Sequence, residues 1–139
     1  MSNNYFKKVG RENFMKKEFL LIEGTVYPFD VLITTADDKK VFSYIENKKS
    51  YKLSEKEKEA MFLSGNGKTT QLIGGQVIIR LKKYKTKIGF NLDTLVHEIE
   101  HAVWFIFSKV GIEHNDGSDE AFAYFQAYLV REALDFWDK

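Results

Sequence analysis

Apolar and polar positions follow two rhythms in this chain. In the first half they come as short runs with alternation. Phe19 to Ile22 and Val26 to Thr35 are rich in β-branched and aromatic residues, and Glu23-Gly24-Thr25 between them reads as a turn. In the second run Tyr27, Phe29, Val31 and Ile33 alternate with Pro28, Asp30, Leu32 and Thr34, and Pro28 favours an edge position or the start of a strand. The polar stretch Ala36-Asp37-Asp38-Lys39-Lys40 then predicts a turn into Val41 to Ile45 and an antiparallel hairpin. Ser54-Glu55-Lys56-Glu57 has the form of a capping box and predicts a helix to about Leu63, ended by Gly65-Asn66-Gly67. Gln76 to Lys83 is the clearest later strand, and a turn near Lys85 would return Ile88 and Phe90 as its partner. Tyr5 to Lys17 has no clean period and stays open between a short helix and a strand.

From Leu92 onward the rhythm becomes helical. Leu92, Leu95, Val96, Ile99, Val103, Ile106 and Val110 form one broad stripe, and Trp104, Phe105 and Phe107 cover much of the rest, which predicts a buried helix over 92–110. Gly111 suits its C-cap. Ser118 is the expected N-cap of a last helix over about 119–136, with acidic residues in its first turn, where the helix dipole favours them. With no repeat and no low-complexity linker, residues 1–139 predict one α+β domain.

Composition narrows the chemistry. Cysteine is absent, so neither disulfides nor a thiolate metal site is available, and a metal must be held by histidine and carboxylate. The N-terminal stretch lacks an apolar signal core and no run is long enough for a membrane span, so the expectation is a soluble, cytoplasmic protein without membrane partners. Net charge is only +1, but residues 1–90 carry 18 Lys/Arg and 10 Asp/Glu (+8), and residues 91–139 carry 3 and 10 (−7). The plain reading is a Lys-rich solvated surface opposite an acidic helical half; the sharper one is a basic face for nucleic acid.

Residues 97–101, His97-Glu98-Ile99-Glu100-His101, spell H-E-x-x-H within the helical stretch, and the chain has only three histidines. Two histidines four apart share a helix face about one turn from each other, so their imidazoles can converge on one metal ion. Glu98 lies about 60° round the helix from His101, within reach of a water at such an ion, where it can act as a general base. A catalytic zinc usually takes three protein ligands, so a third is needed. Downstream candidates are His114, Asp119 and Glu120. The metzincin pattern is excluded, because Trp104 and Phe107 stand where its glycine and third histidine belong.

With Glu120 nineteen residues past His101, the chain resembles the gluzincins, the thermolysin-like zinc metallopeptidases. Ser118-Asp119-Glu120-Ala121-Phe122-Ala123-Tyr124 is also similar to the E-A-x-A-Y helix of short zincin-like proteins of phages and mobile elements. The resemblance covers roughly residues 75–135. It implies a minimal zincin-like domain, with a small twisted antiparallel or mixed sheet packed on the motif helix and a C-terminal ligand helix. It implies Zn2+ on His97, His101 and Glu120, with Glu98 as general base toward a peptide bond. It further implies a peptide or protein substrate extended along an edge strand, for which Gln76 to Lys83 is the candidate, and a location in a host cytoplasm or virion if phage-encoded.

Other residues carry secondary readings. Tyr124, one turn past Glu120, can offer its hydroxyl to an oxyanion or serve as core. Ala123 and Ala127 are small at helical spacing and would let the last helix approach the motif helix closely. Glu100 reads as solvated or as a partner of an imidazole. Gly65-Asn66-Gly67-Lys68-Thr69-Thr70 resembles the end of a phosphate-binding loop, but Phe62 replaces its first glycine and the stretch follows a helix. Alternation puts Arg80, Lys82 and Tyr84 on one face, as a nucleic-acid-binding strand or an aggregation-resistant edge would. The chief alternative to a hydrolase is a catalytically inactive zincin-like protein that acts by binding or as a structural component.

Overall fold

A computed structural model describes residues 17–24, 27–48 and 51–138. Among them are strands β1 (Phe19–Ile22), β2 (Val31–Thr34), β3 (Gly67–Gln71) and β4 (Val77–Leu81), and helices α1 (Asp38–Lys48), α2 (Glu55–Met61), α3 (Leu92–Lys109) and α4 (Asp119–Trp137). The strands form one mixed sheet in the order β1-β2-β4-β3. β1 pairs antiparallel with β2, β2 parallel with β4, and β4 antiparallel with β3. The α+β expectation is met.

Side-chain alternation explains the layering. Val31, Ile33, Val77, Ile79 and Leu81 project to one face, where α3 and α4 supply Leu95, Ile99, Val103, Ile106, Phe107, Leu129 and Trp137. Leu32 and Ile78 project to the other, against Val41 and Ile45 of α1 and Met61 of α2. The two inner strands are therefore covered on both sides, and every residue of β2 and β4 is buried. The end of α4 is tied to the start of β1 by the Trp137 indole, whose Nε1 donates to the Lys17 carbonyl at 2.8 Å.

The structure corrects several sequence expectations. Val41 to Ile45 is not a strand but part of α1: Val41 and Ile45, one helical turn apart, both face the core. The Asp37 carboxylate accepts the Lys40 amide at 2.9 Å at the start of that helix. Of the run Val26 to Thr35 only Val31–Thr34 is strand; Thr25 and Val26 lie outside the described residues, as does Tyr5 to Lys17 apart from Lys17. Ile88 and Phe90 do not return as a strand, and Phe90 is instead buried edge-on against Trp137. Gln76 to Lys83 is not an edge, because β4 lies between β2 and β3. Among the described residues the edges are β1 and β3, and β3, which flanks β4, is formed by the Gly-Lys-Thr-Thr-Gln stretch that looked like the remnant of a phosphate-binding loop.

Arg80 does not share an exposed basic face with Lys82. It is 2% exposed, with Nη1 donating to Asp38 and to the Met61 carbonyl (3.0 Å) and Nη2 to the Ala36 carbonyl (2.8 Å). It ties β4 to α1 and α2. The capping box of α2 is present as expected: Ser54 accepts the Glu57 amide at 3.1 Å and Glu57 accepts the Ser54 amide at 3.0 Å. The Glu57 carboxylate also accepts from the Tyr51 hydroxyl (2.7 Å) and the Ile73 amide (3.1 Å). Burial works against its charged form, but the Ser54 amide, the Tyr51 hydroxyl and the Ile73 amide outweigh it and hold the carboxyl below its usual range.

Candidate metal centre

α3 carries the motif, and its register decides what each motif residue faces. Leu95, Ile99, Ala102, Val103 and Ile106 are buried beneath the sheet and α4. The helix is not enclosed all round, however: Leu92, Val96, Trp104, Phe105 and Val110 are at least one-third exposed. It ends as Gly111 predicts. Gly111, at φ +83°, donates to Ser108 at 3.1 Å and Ile112 donates to Phe107 at 2.8 Å, the paired bonds of a Schellman cap.

His97 and His101 project from the open face of this helix, and their Nε2 atoms meet at 3.2 Å. Two nitrogens at ~2.0–2.1 Å from one tetrahedral zinc stand about 3.3 Å apart. The two rings can share an N–H···N hydrogen bond at this distance, and the same spacing fits ligation of one ion. Glu98, about a quarter-turn round the helix, points toward β3 and is 7% exposed. The Thr69 hydroxyl lies 2.8 Å from its Oε1, and Oε2 stands 4.0 Å from His97 Nε2. Gly67 permits this closeness, since a Cβ there would stand 2.7 Å from Thr94 Cγ2 and 2.9 Å from Glu98 Cγ.

The surroundings of the pair differ on its two sides. Toward the start of α3 is a cleft of about 400 Å³ lined by Asn66, Gly67, Asp93, Thr94, His97 and Glu98. The Asn66 side chain is fixed there by the Tyr84 hydroxyl at 2.5 Å. Toward the end of α3, the Trp104 ring packs 5.2 Å from Phe122 and 5.1 Å from His114. His114 Nε2 in turn lies 3.0 Å from Asp119 Oδ1, which commits the Asp119 carboxylate to that imidazole.

Glu120 is exposed in the first turn of α4 and makes no hydrogen bond or ion pair among the described residues. Nor do three His, Cys, Asp or Glu side chains gather there as a ligand set. The structure thus brings together His97, His101 and Glu98 and leaves Glu120 apart from them. Tyr124 is 72% exposed, not core. Ala123 and Ala127 line a shallow groove with Val96, while the close contacts of α4 are made by Phe122, Leu129 and Ala133. Ser118 does not cap α4 with its side chain. Its hydroxyl instead donates to the Glu113 carbonyl and accepts the Asn115 amide, which organises the preceding loop. Glu100 is exposed.

Thr69, Gly67 and Asp93 are the residues that sequence reasoning missed. For the first two, the turn at Gly65-Asn66-Gly67 followed by two β-branched threonines was the available signal. Asp93 stands one helical turn before His97, a spacing visible in the sequence. Among the described residues no helix is long and apolar enough to cross a membrane. No family model matches the sequence, and comparison with curated proteins and with solved structures finds no match.

Proposed function

We propose that this protein is a zinc-dependent hydrolase of gluzincin type that cleaves a peptide or amide bond. The observation that carries the reading is the convergence of His97 and His101 at 3.2 Å beside a carboxylate that Thr69 holds in place. A structural metal site has no use for Glu98, whereas a hydrolytic one requires a base at that position. His97 and His101 would hold the ion through Nε2, and the third ligand would be Glu120, uncommitted beside the engaged Asp119, which stands apart from the pair and would have to turn toward it on binding. When bound, the zinc supplies a Lewis acid that lowers the pKa of a water and polarises the substrate carbonyl.

The protein's own groups manage orientation and protons. Thr69 fixes Oε1 of Glu98, and Oε2 is left to take a proton from the attacking water and pass it to the leaving nitrogen as the C–N bond breaks. The edge of β3, unpaired among the described residues, supports an extended substrate. The bonds from Lys82 N to Asn66 O and from Leu72 N to Gln76 O set the antiparallel phase. Lys68 and Thr70 therefore bond to β4, while Gly67, Thr69 and Gln71 turn their main-chain groups outward beside the site. Tyr124 is the proposed oxyanion donor, from the exposed face of α4. The test is cleavage of quenched fluorescent peptides by zinc-loaded protein: Glu98→Gln should abolish it while the fold and bound zinc persist. Equal cleavage by Glu98→Gln overturns the reading.

A further inference from the structure

β3 and α3 lie side by side in the same direction. Gly67 is against Thr94 and Glu98, Thr69 bonds to Glu98, and Gln71 Nε2 donates to the Phe105 carbonyl at 3.2 Å. A peptide on the free edge of β3 therefore passes the histidine pair midway and meets a different surface at each end.

At one end is the cleft beside His97. Asp93 and Glu98 are its carboxylates, and neither Lys nor Arg lines it. Glu98 is the proposed base and is replaced by Gln in the binding test, so Asp93 is the charge left for a ligand. Its Oδ1 accepts the Thr94 amide at 3.0 Å, and Oδ2 has no protein partner among the described residues. Lys82 lies over the Tyr84 ring at 5.4 Å and does not line the cleft. At the other end Trp104 and Phe105 are 45% and 36% exposed, on the turn past His101. The Trp104 ring is held by Phe122 and His114, and the Phe105 backbone by Gln71. This is a pre-ordered apolar shelf that gains by being covered, at little further cost in side-chain entropy.

We infer that the groove selects peptides with a basic side chain on the Asp93 side of the scissile bond and a bulky aromatic one on the Trp104 side. The inference names the substrate class of the hydrolase reading and rests on it for the position of the bond. It is tested by binding, so that the two can fail separately.

Zinc-loaded Glu98→Gln protein is titrated calorimetrically with short peptides carrying Lys and Phe on opposite flanks, in both orders, and with Lys→Glu and Phe→Ser versions. For the preferred order, Lys→Glu should weaken binding roughly two- to fivefold, and Asp93→Asn should erase that difference. Phe→Ser should weaken binding about tenfold, and Trp104→Leu, which keeps an apolar contact to Phe122, should shrink that difference. Equal binding of the Lys and Glu peptides, a preference untouched by Asp93→Asn, or no binding of any peptide overturns the inference. Preferential binding with no cleavage by the wild-type zinc-loaded protein overturns the hydrolase reading alone, and cleavage without preference overturns the inference alone.

Discussion

The Thr69 hydroxyl stands 2.8 Å from Oε1 of Glu98 and 2.9 Å from the main-chain oxygen of the same residue, across 29 positions of sequence. The single hydroxyl proton is shared between the helix carbonyl and the carboxylate, which places both against the edge strand. Thr69→Val keeps the shape and removes the hydrogen bond. Peptide hydrolysis should fall roughly tenfold, the lower end of what orienting partners of a metal site contribute. Zinc affinity should be unchanged, as calorimetric titration would record. An equal loss in both would mean that Thr69 supports the ligands and not the base.

Gly67 tests the same contact through packing. An added Cβ would stand 2.7 Å from Thr94 Cγ2, 2.9 Å from Glu98 Cγ and 3.3 Å from the Arg80 carbonyl, so the strand or the helix must shift. Gly67→Ala should destabilise the fold by about 1–3 kcal/mol in urea denaturation, the usual cost of overpacking. It should also lower hydrolysis, because the displaced group is the proposed base.

Glu57 sets an acid limit on stability. Its folded pKa lies below the ordinary carboxylate value of 4.5, so its contribution is fully present above that pH and is lost as the pH falls through the folded pKa. Glu57→Gln should cost about 1–2 kcal/mol at neutral pH. The gap from wild type should narrow only below pH 4.5. Denaturation curves at several pH values measure it directly.

Arg80 is a structural cation. Arg80→Ala leaves the Ala36 and Met61 carbonyls without their donor and opens a hole between the sheet and α1, at a cost of about 3 kcal/mol in urea denaturation.

These four residues also mark how far the sequence could be read. Elements specified by local chemistry were legible: the α2 capping box, the Gly111 cap, and the long periodicities of α3 and α4. That His97 and His101 share one face of α3, with Glu98 beside them, was legible because side chains four apart on a helix lie one turn from each other. Thr69 and Gly67 were not, because Gly-Lys-Thr-Thr-Gln has no apolar alternation and becomes a strand only by pairing with β4. Val41 and Ile45 fit both a strand of period two and a helix of period four, and burial against Leu32 and Ile78 decides for the helix. Arg80 read as surface by residue type, since nothing local in the sequence announces the carbonyls and carboxylate that gather around its guanidinium.

Under the proposed function, His97 and His101 are ligands of one zinc ion. Elemental analysis of the purified protein after reconstitution and dialysis tests it most directly. About one equivalent of zinc per chain, lost in His97→Ala and in His101→Ala but kept in Glu98→Gln, is the predicted result. Less than about a tenth of an equivalent after reconstitution would contradict it, since a formed ligand set takes up zinc at neutral pH.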